Sequence, residues 1–319
     1  MDQQHRKIKV ALISVASNTI LTIMKLIVGL IIGSVSIMSE AIHSGVDLLA
    51  SLIATFSVRT SGIPADGRHP FGHGKVENLS GTIEAVLIFM AAVWIIYESV
   101  IKLLRPKPIE DVGWGIAIMF VSTLVNIVVS EKLFKVAKET DSIALEADAW
   151  HLRTDVYTSA GVMIGLTLIF ISHRILPDPD IHWLDPVAAI GVALLIFRTA
   201  YKLTIESARD LMDVTLPANE EAQIRHLIKA RQPAIHGFHR LRTRKAGNFR
   251  FVDFHIKVDP NMSVDDSHSI SADLSKSIEG EFPNASITVH IEPCNGKCMG
   301  DCLVGCLLTE KERKNVMDK

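Results

Sequence analysis

Ser39-Glu40-Ala41-Ile42-His43-Ser44-Gly45-Val46-Asp47 and Glu146-Ala147-Asp148-Ala149-Trp150-His151-Leu152-Arg153-Thr154-Asp155 are the two stretches that decide this chain. In each, a histidine and an aspartate stand four residues apart, an advance of about 40° on a helix, so both side chains share one face. Each stretch lies inside a run otherwise apolar enough to cross a bilayer, where an unpaired charge costs several kcal/mol. The second repeats the first at an offset of 108 residues: Ser34 maps to Ser142, Glu40 to Asp148, Ala41 to Ala149, His43 to His151, Asp47 to Asp155 and Ser51 to Ser159. Two such helices side by side offer two nitrogens and two oxygens, a complete tetrahedral set for zinc with neutralising charge from the aspartates. The competing reading is polar glue between helices. Glue is usually Ser, Thr or Asn, and two carboxylates buried without a cation would have to protonate. Glu40 and Asp148, one turn before the histidines, orient them or line an entry path. Asn18, Lys25, Glu84, Glu98 and Asn126 are isolated and read as packing, snorkelling or cavity-lining residues.

The whole chain supports a membrane setting. Of its 319 residues 48% are hydrophobic and only 21% charged, below the roughly 25% of soluble domains, which argues against a wholly soluble enzyme. Its formal charge of -2 excludes the basic balance of a dedicated nucleic-acid binder, so no nucleic-acid partner is expected. Six apolar segments approach or exceed the roughly 20 residues of a helical span, near 8–32, 35–58, 79–103, 112–134, 143–172 and 183–205. The second and fifth are the least apolar, thinned by the residues quoted above. No early signal-peptide pattern precedes the first span, which is expected to remain in place. Lys and Arg concentrate before span one, after spans two, four and six, and so put both termini in the cytoplasm of a multi-pass protein of the cell (inner) membrane. Lys102, Arg105 and Lys107, after span three, run against that rule.

Three regions follow: a six-span domain over 1–208, a soluble domain over 209–293 and a Cys-rich tail over 294–319. In the soluble part, 219–230 and 264–281 have helical periodicity, while 236–244, 249–259 and 285–292 alternate as strands, the first two joined at Ala246-Gly247-Asn248. The order is αββαβ, a two-layer α+β domain on a three-stranded sheet. A domain this small gains from dimerisation.

The quoted motifs, with the loop Pro64-Ala65-Asp66-Gly67-Arg68-His69-Pro70-Phe71-Gly72-His73-Gly74-Lys75, resemble those of the cation diffusion facilitator family, from span one to about Pro293. The resemblance implies a homodimer of six-helix transmembrane domains in the bilayer, each with a cytoplasmic αββαβ domain of ferredoxin-like, metallochaperone-like type. It implies export of divalent metal from the cytoplasm in exchange for protons, with His43, Asp47, His151 and Asp155 as the transport site. His43, where other members carry Asp, is the pattern usual in zinc-selective members; nitrogen in place of oxygen disfavours magnesium and calcium and moderately favours zinc over manganese. Transport of iron, manganese, cobalt or cadmium is the alternative, as is a membrane metal sensor that does not translocate. A membrane metalloenzyme would need an open coordination position and a general base, and the chain has no HExxH or nucleophile elbow. Imidazole and carboxylate bind metal only when deprotonated, so Zn²⁺ and protons as counter-ions compete for the same atoms.

By the same resemblance Asp66, His69 and His73 form a loop metal site, and His239, His255, His268, His290 and Glu292 form a regulatory site in the cytoplasmic domain. Strand alternation places His290 and Glu292 on one face. The tail departs from the family. Cys294, Cys298, Cys302 and Cys306 recur every four residues, but Gly296, Gly300 and Gly305 weaken any helix there. Four thiols so close suit zinc, copper(I) or an iron–sulfur cluster, with redox chemistry or lipidation as other readings.

Overall fold

The computed structural model describes residues 3–32, 35–105, 113–175, 183–296 and 300–317. Cys298 and Lys107 lie outside these residues. The chain divides into two compact units, Met1–Arg209 and Asp210–Lys319.

The first unit is made of long helices: α1 (Gln3–Ile32), α2 (Val35–Ser61), α3 (Lys75–Leu104), α4 (Gly113–Thr140), α5 (Ile143–Ile175) and α6 (Leu184–Leu211). Among the described residues four stretches are long and apolar enough to cross a membrane: Gln3–Ile31, Ala41–Ser61, Lys75–Leu104 and Ala117–Thr140. Helices overrun the apolar runs at their polar ends. α1 starts at Gln3 rather than near residue 8, and α4 continues through Lys135 and Lys138 to Thr140. Hydropathy marks only the hydrocarbon-crossing part, whereas backbone hydrogen bonding carries the helix on into water.

α1 packs along α2 and α4 along α5. Ala11, Val58, Leu133, Ala144, Leu145 and Leu152 close a core where small residues let backbones approach. A second cluster joins α3 to α6 through Ala85, Ile88, Ala92, Ile196, Ala200 and Leu203. At one end of the bundle Glu77 is fully buried. It accepts from Lys7 Nζ on α1, from Ser61 Oγ on α2 at 2.6 Å and from Ser142 Oγ, just before α5, at 2.5 Å. Three other chain segments thus converge on one carboxylate of α3.

The second unit is built on α7 (Ala218–Lys229), β1 (Gly237–Ala246), β2 (Phe249–Val258), α8 (Val264–Glu281) and β3 (Ala285–Pro293), the expected αββαβ order. The sheet order is β1-β2-β3, with β1 and β2 antiparallel and β2 and β3 parallel. Gly247, at φ +60°, opens the two-residue β1–β2 turn, a conformation that favours a residue without Cβ. Val252, Phe254, Ile256 and Val258 of β2 point to the core with Ile224, Ile228, Leu274 and Ile278 of the helices. Phe251, Asp253, His255 and Lys257 therefore share the other face. Two further helices, α9 (Gly300–Val304) and α10 (Glu310–Met317), lie in the tail. α10 is capped by a reciprocal pair: Glu312 N–H donates to Thr309 Oγ1 at 3.3 Å and Thr309 N–H to Glu312 Oε2 at 2.8 Å.

Candidate metal centre

α2 and α5 bring the repeated motifs together. His151 Nε2 lies 3.0 Å from Asp47 Oδ1, and His43 Nε2 lies 3.9 Å from Asp47 Oδ1 and 3.8 Å from Asp155 Oδ1. The ligand atoms of His43, Asp47 and Asp155 are close enough to share an ion, His151 joins them through Asp47, and each aspartate faces a histidine of the other helix. His151 Nδ1 and Asp155 Oδ2 are buried without a hydrogen-bond partner, the condition that a buried polar atom normally avoids and that a cation would relieve.

α1 supplies a polar stripe that positions α2. Asn18 Nδ2 donates to Asp47 O at 3.4 Å, Thr22 Oγ1 to Ser44 O at 2.9 Å and Lys25 Nζ to Ser44 Oγ at 2.8 Å. Asn18 and Lys25 look isolated in the sequence, yet the spacing 18, 22, 25 marks one helix face. Asp148 and Glu84 are fully buried, and both oxygens of Asp148 and Oε2 of Glu84 have no hydrogen-bond partner, although Ser80 Oγ donates to Glu84 Oε1 at 3.1 Å. They place acid beside the quartet on α3 and α5. The side chain of Glu40 lies outside the described residues.

The α2–α3 loop gathers Asp66, His69 and His73. Asp66 Oδ1 is 3.4 Å from His69 Nδ1, Asp66 Oδ2 is 3.6 Å from His73 Nε2, and the imidazole centroids are 4.3 Å apart. Backbone N–H groups of His69 and Arg68 donate to Asp66 and hold its carboxyl below the usual carboxylate range, so it stays an anion. His73 Nδ1 is buried and unpartnered.

In the second unit His239, His255 and His290 occupy one rung of the sheet, His239 paired with His255 and His255 with His290. Glu292 faces them, its oxygens 3.5 Å from His239 Nε2, 2.8 Å from His255 Nδ1 and 3.7 Å from His290 Nε2. The ligand atoms of His239, His255 and Glu292 are close enough to share an ion. Lys257, whose Nζ lies 2.6 Å from Glu292 Oε2, pulls the Glu292 carboxyl down to about 2, with His255 adding to it. Burial pushes the His239 imidazole below its ordinary value, which keeps it neutral and able to ligate. His268 stands apart, exposed on α8. Lys257 was absent from the sequence reading, although alternation with His255 marks its face.

A helical domain with an imidazole–carboxylate quartet, followed by an αββαβ domain that gathers three histidines and a glutamate on one sheet face, is the architecture of a membrane transporter of divalent cations. The chain belongs to the cation diffusion facilitator family: residues 11–212 match the cation efflux transmembrane domain and residues 216–294 the cytoplasmic domain of cation efflux proteins. It is a multi-pass membrane protein of a family of transporters, not enzymes. It is 35% identical over 263 residues to an uncharacterized transporter, sll1263, of Synechocystis sp., covering 82% of this chain and 83% of that one. It is 29% identical over 287 residues to the cation-efflux pump FieF of Salmonella paratyphi A, covering 90% and 93%. Solved structures of the cytoplasmic part include the putative zinc transporter CzrB, 32% identical with a TM-score of 0.23 over 24% of this chain and 96% of that one. The metal-bound C-terminal domain of CzcD from Thermotoga maritima is 28% identical, with a TM-score of 0.23 over 24% and 94%.

Proposed function

We propose that this protein is a homodimeric zinc/proton antiporter that exports Zn²⁺ from the cytoplasm across the cell's inner membrane, with both termini in the cytoplasm. The observation that carries the reading is the quartet His43, Asp47, His151 and Asp155, two imidazoles and two carboxylates among which His151 Nδ1 and Asp155 Oδ2 have no hydrogen-bond partner. Two ionised aspartates balance the charge of one Zn²⁺, so the loaded site is neutral overall, which a low-dielectric setting demands. Nitrogen donors favour zinc over magnesium and calcium.

The His151–Asp47 contact at 3.0 Å supports proton exchange. A proton shared between imidazole and carboxylate occupies donor atoms that zinc requires. Metal entry displaces that proton, and reprotonation from the far side weakens the metal's hold. Each proton moved down a gradient of one pH unit contributes about 1.4 kcal/mol to the exchange.

The second unit supports the dimer and its regulation. An αββαβ domain this small gains from a partner, and metal held by His239, His255 and Glu292 in one conformation better than another shifts the transporter's population. The Asp66, His69 and His73 cluster is proposed as a further ion site in the loop.

Proteoliposome uptake with and without an imposed proton gradient tests the exchange: uptake is expected to rise with the gradient, and indifference to it rules out antiport. Asp155→Ala is expected to abolish flux while the protein still elutes as a dimer. Competition for uptake among zinc, iron, manganese, cobalt and cadmium decides the cargo, with zinc expected to win. Saturable binding without uptake would make the chain a sensor.

A further inference from the structure

The tail folds back on the sheet. Cys294 N–H donates to Val258 O at 2.8 Å just after β3, α9 packs on β1, and Cys306 pairs with Gly237 at the edge of that strand. Leu307 N–H donates to His236 O at 2.9 Å and Phe238 N–H to Gly305 O at 3.0 Å. Backbones here touch so closely that a Cβ on Gly305 would stand 1.6 Å from Phe238 O, so only glycine fits. Cys294, Cys302, Cys306 and His236 all line one small cavity, about 10 Å³, room for a single water-sized occupant and no organic molecule. His236 Nδ1 is buried and unpartnered, as is Nε of Arg313, which lines the same cavity. The three described cysteines are thiols, not disulfides.

We propose that Cys294, Cys302, Cys306 and His236 form a tetrahedral zinc site that fastens the tail across the end of the sheet. Three sulfurs and one nitrogen are a closed structural donor set for Zn²⁺. The backbones of His236 and Cys294 flank β2 about two strand spacings apart, roughly 10 Å. Bonds of about 2.1 Å to nitrogen and 2.3 Å to sulfur close that gap once both side chains lean inward. Zn²⁺ with three thiolates and a neutral imidazole carries one net negative charge, and the Arg313 guanidinium, which lines the same cavity, supplies its counter-charge. Four thiols are not required, because His236 fills the fourth position. This site is distinct from the histidine rung and does not depend on whether the chain transports zinc.

Cobalt titration of the full-length chain, zinc-stripped, reduced and oxygen-free, tests the site, because only sulfur ligation gives the near-ultraviolet thiolate-to-cobalt absorption. One cobalt per chain with that absorption and tetrahedral visible bands is expected. Cys302→Ser and Cys306→Ser should remove it. His236→Ala should weaken binding by more than the roughly 10–100-fold that loss of an outer partner costs. Gly305→Val, which keeps every donor but cannot dock, should weaken binding similarly, with circular dichroism reporting that the domain remains folded. Absence of thiolate absorption overturns the site. A signal that survives His236→Ala but is lost in Cys298→Ser overturns this ligand set, and wild-type affinity in Gly305→Val overturns the role of docking.

Discussion

His43 is the quartet's most open member, with 54% of its side chain exposed against 8% for Asp47, 9% for His151 and 19% for Asp155. A proposed ligand on the rim can be exchanged without breaking the buried His151–Asp47 pair, so selectivity is most safely altered there. His43→Asp is expected to keep transport while Mn²⁺ competes with Zn²⁺ at least about tenfold better in vesicle uptake, since oxygen replaces a borderline nitrogen. His43, Asp47, His151 and Asp155 were legible in the sequence because a spacing of four fixes a helix face without any knowledge of the fold. What Lys25 and Thr22 do was not legible. Their partner Ser44 lies on another helix, and nothing local to α1 announces it.

Among the elements, α3 shows why burial outruns hydropathy. Glu77 sits in a short polar run at the start of the helix, yet it is sealed by Lys7, Ser61 and Ser142, residues 70, 16 and 65 positions away. Removing one partner of a buried ion pair leaves the other charge uncompensated. Glu77→Ala is expected to destabilise the first unit by about 3–5 kcal/mol, and the double change Lys7→Met with Glu77→Leu to restore most of that, as read by unfolding in mixed micelles. In the second unit the β1–β2 turn is a local matter, and Ala246-Gly247-Asn248 predicted it. Gly247→Ala at φ +60° should cost about 1–2 kcal/mol in denaturant titration. The α9 helix was not legible, because Gly300 and Gly305 argue against helix in a peptide while docking on β1 demands glycine at Gly305.

At the scale of the whole molecule, acid should unload the cytoplasmic cluster. The His239 imidazole titrates below its ordinary value, and its neutral form is the one that binds. Zinc bound at the His239, His255 and Glu292 cluster of the Asp155→Ala chain should therefore hold as pH falls to 6.5 and weaken once pH falls through that depressed value, by about tenfold per unit for the His239 proton. Linkage gives the stability signs. The unfolded His239 takes up its proton before the folded one does, so its contribution is lost as pH falls from about 6.5 towards the depressed folded value. Glu292, held down to about 2, adds stability that is complete above its ordinary value of 4.5 and fades as pH drops towards 2. The histidine rung has a further consequence. Because His239, His255 and His290 stand in register, a one-residue slip of either outer strand turns a donor to the opposite face. An ion held there clamps strand register, and at a hundred times its dissociation constant it should slow amide hydrogen exchange in β1 and β3 by about a hundredfold wherever exchange proceeds through such slippage.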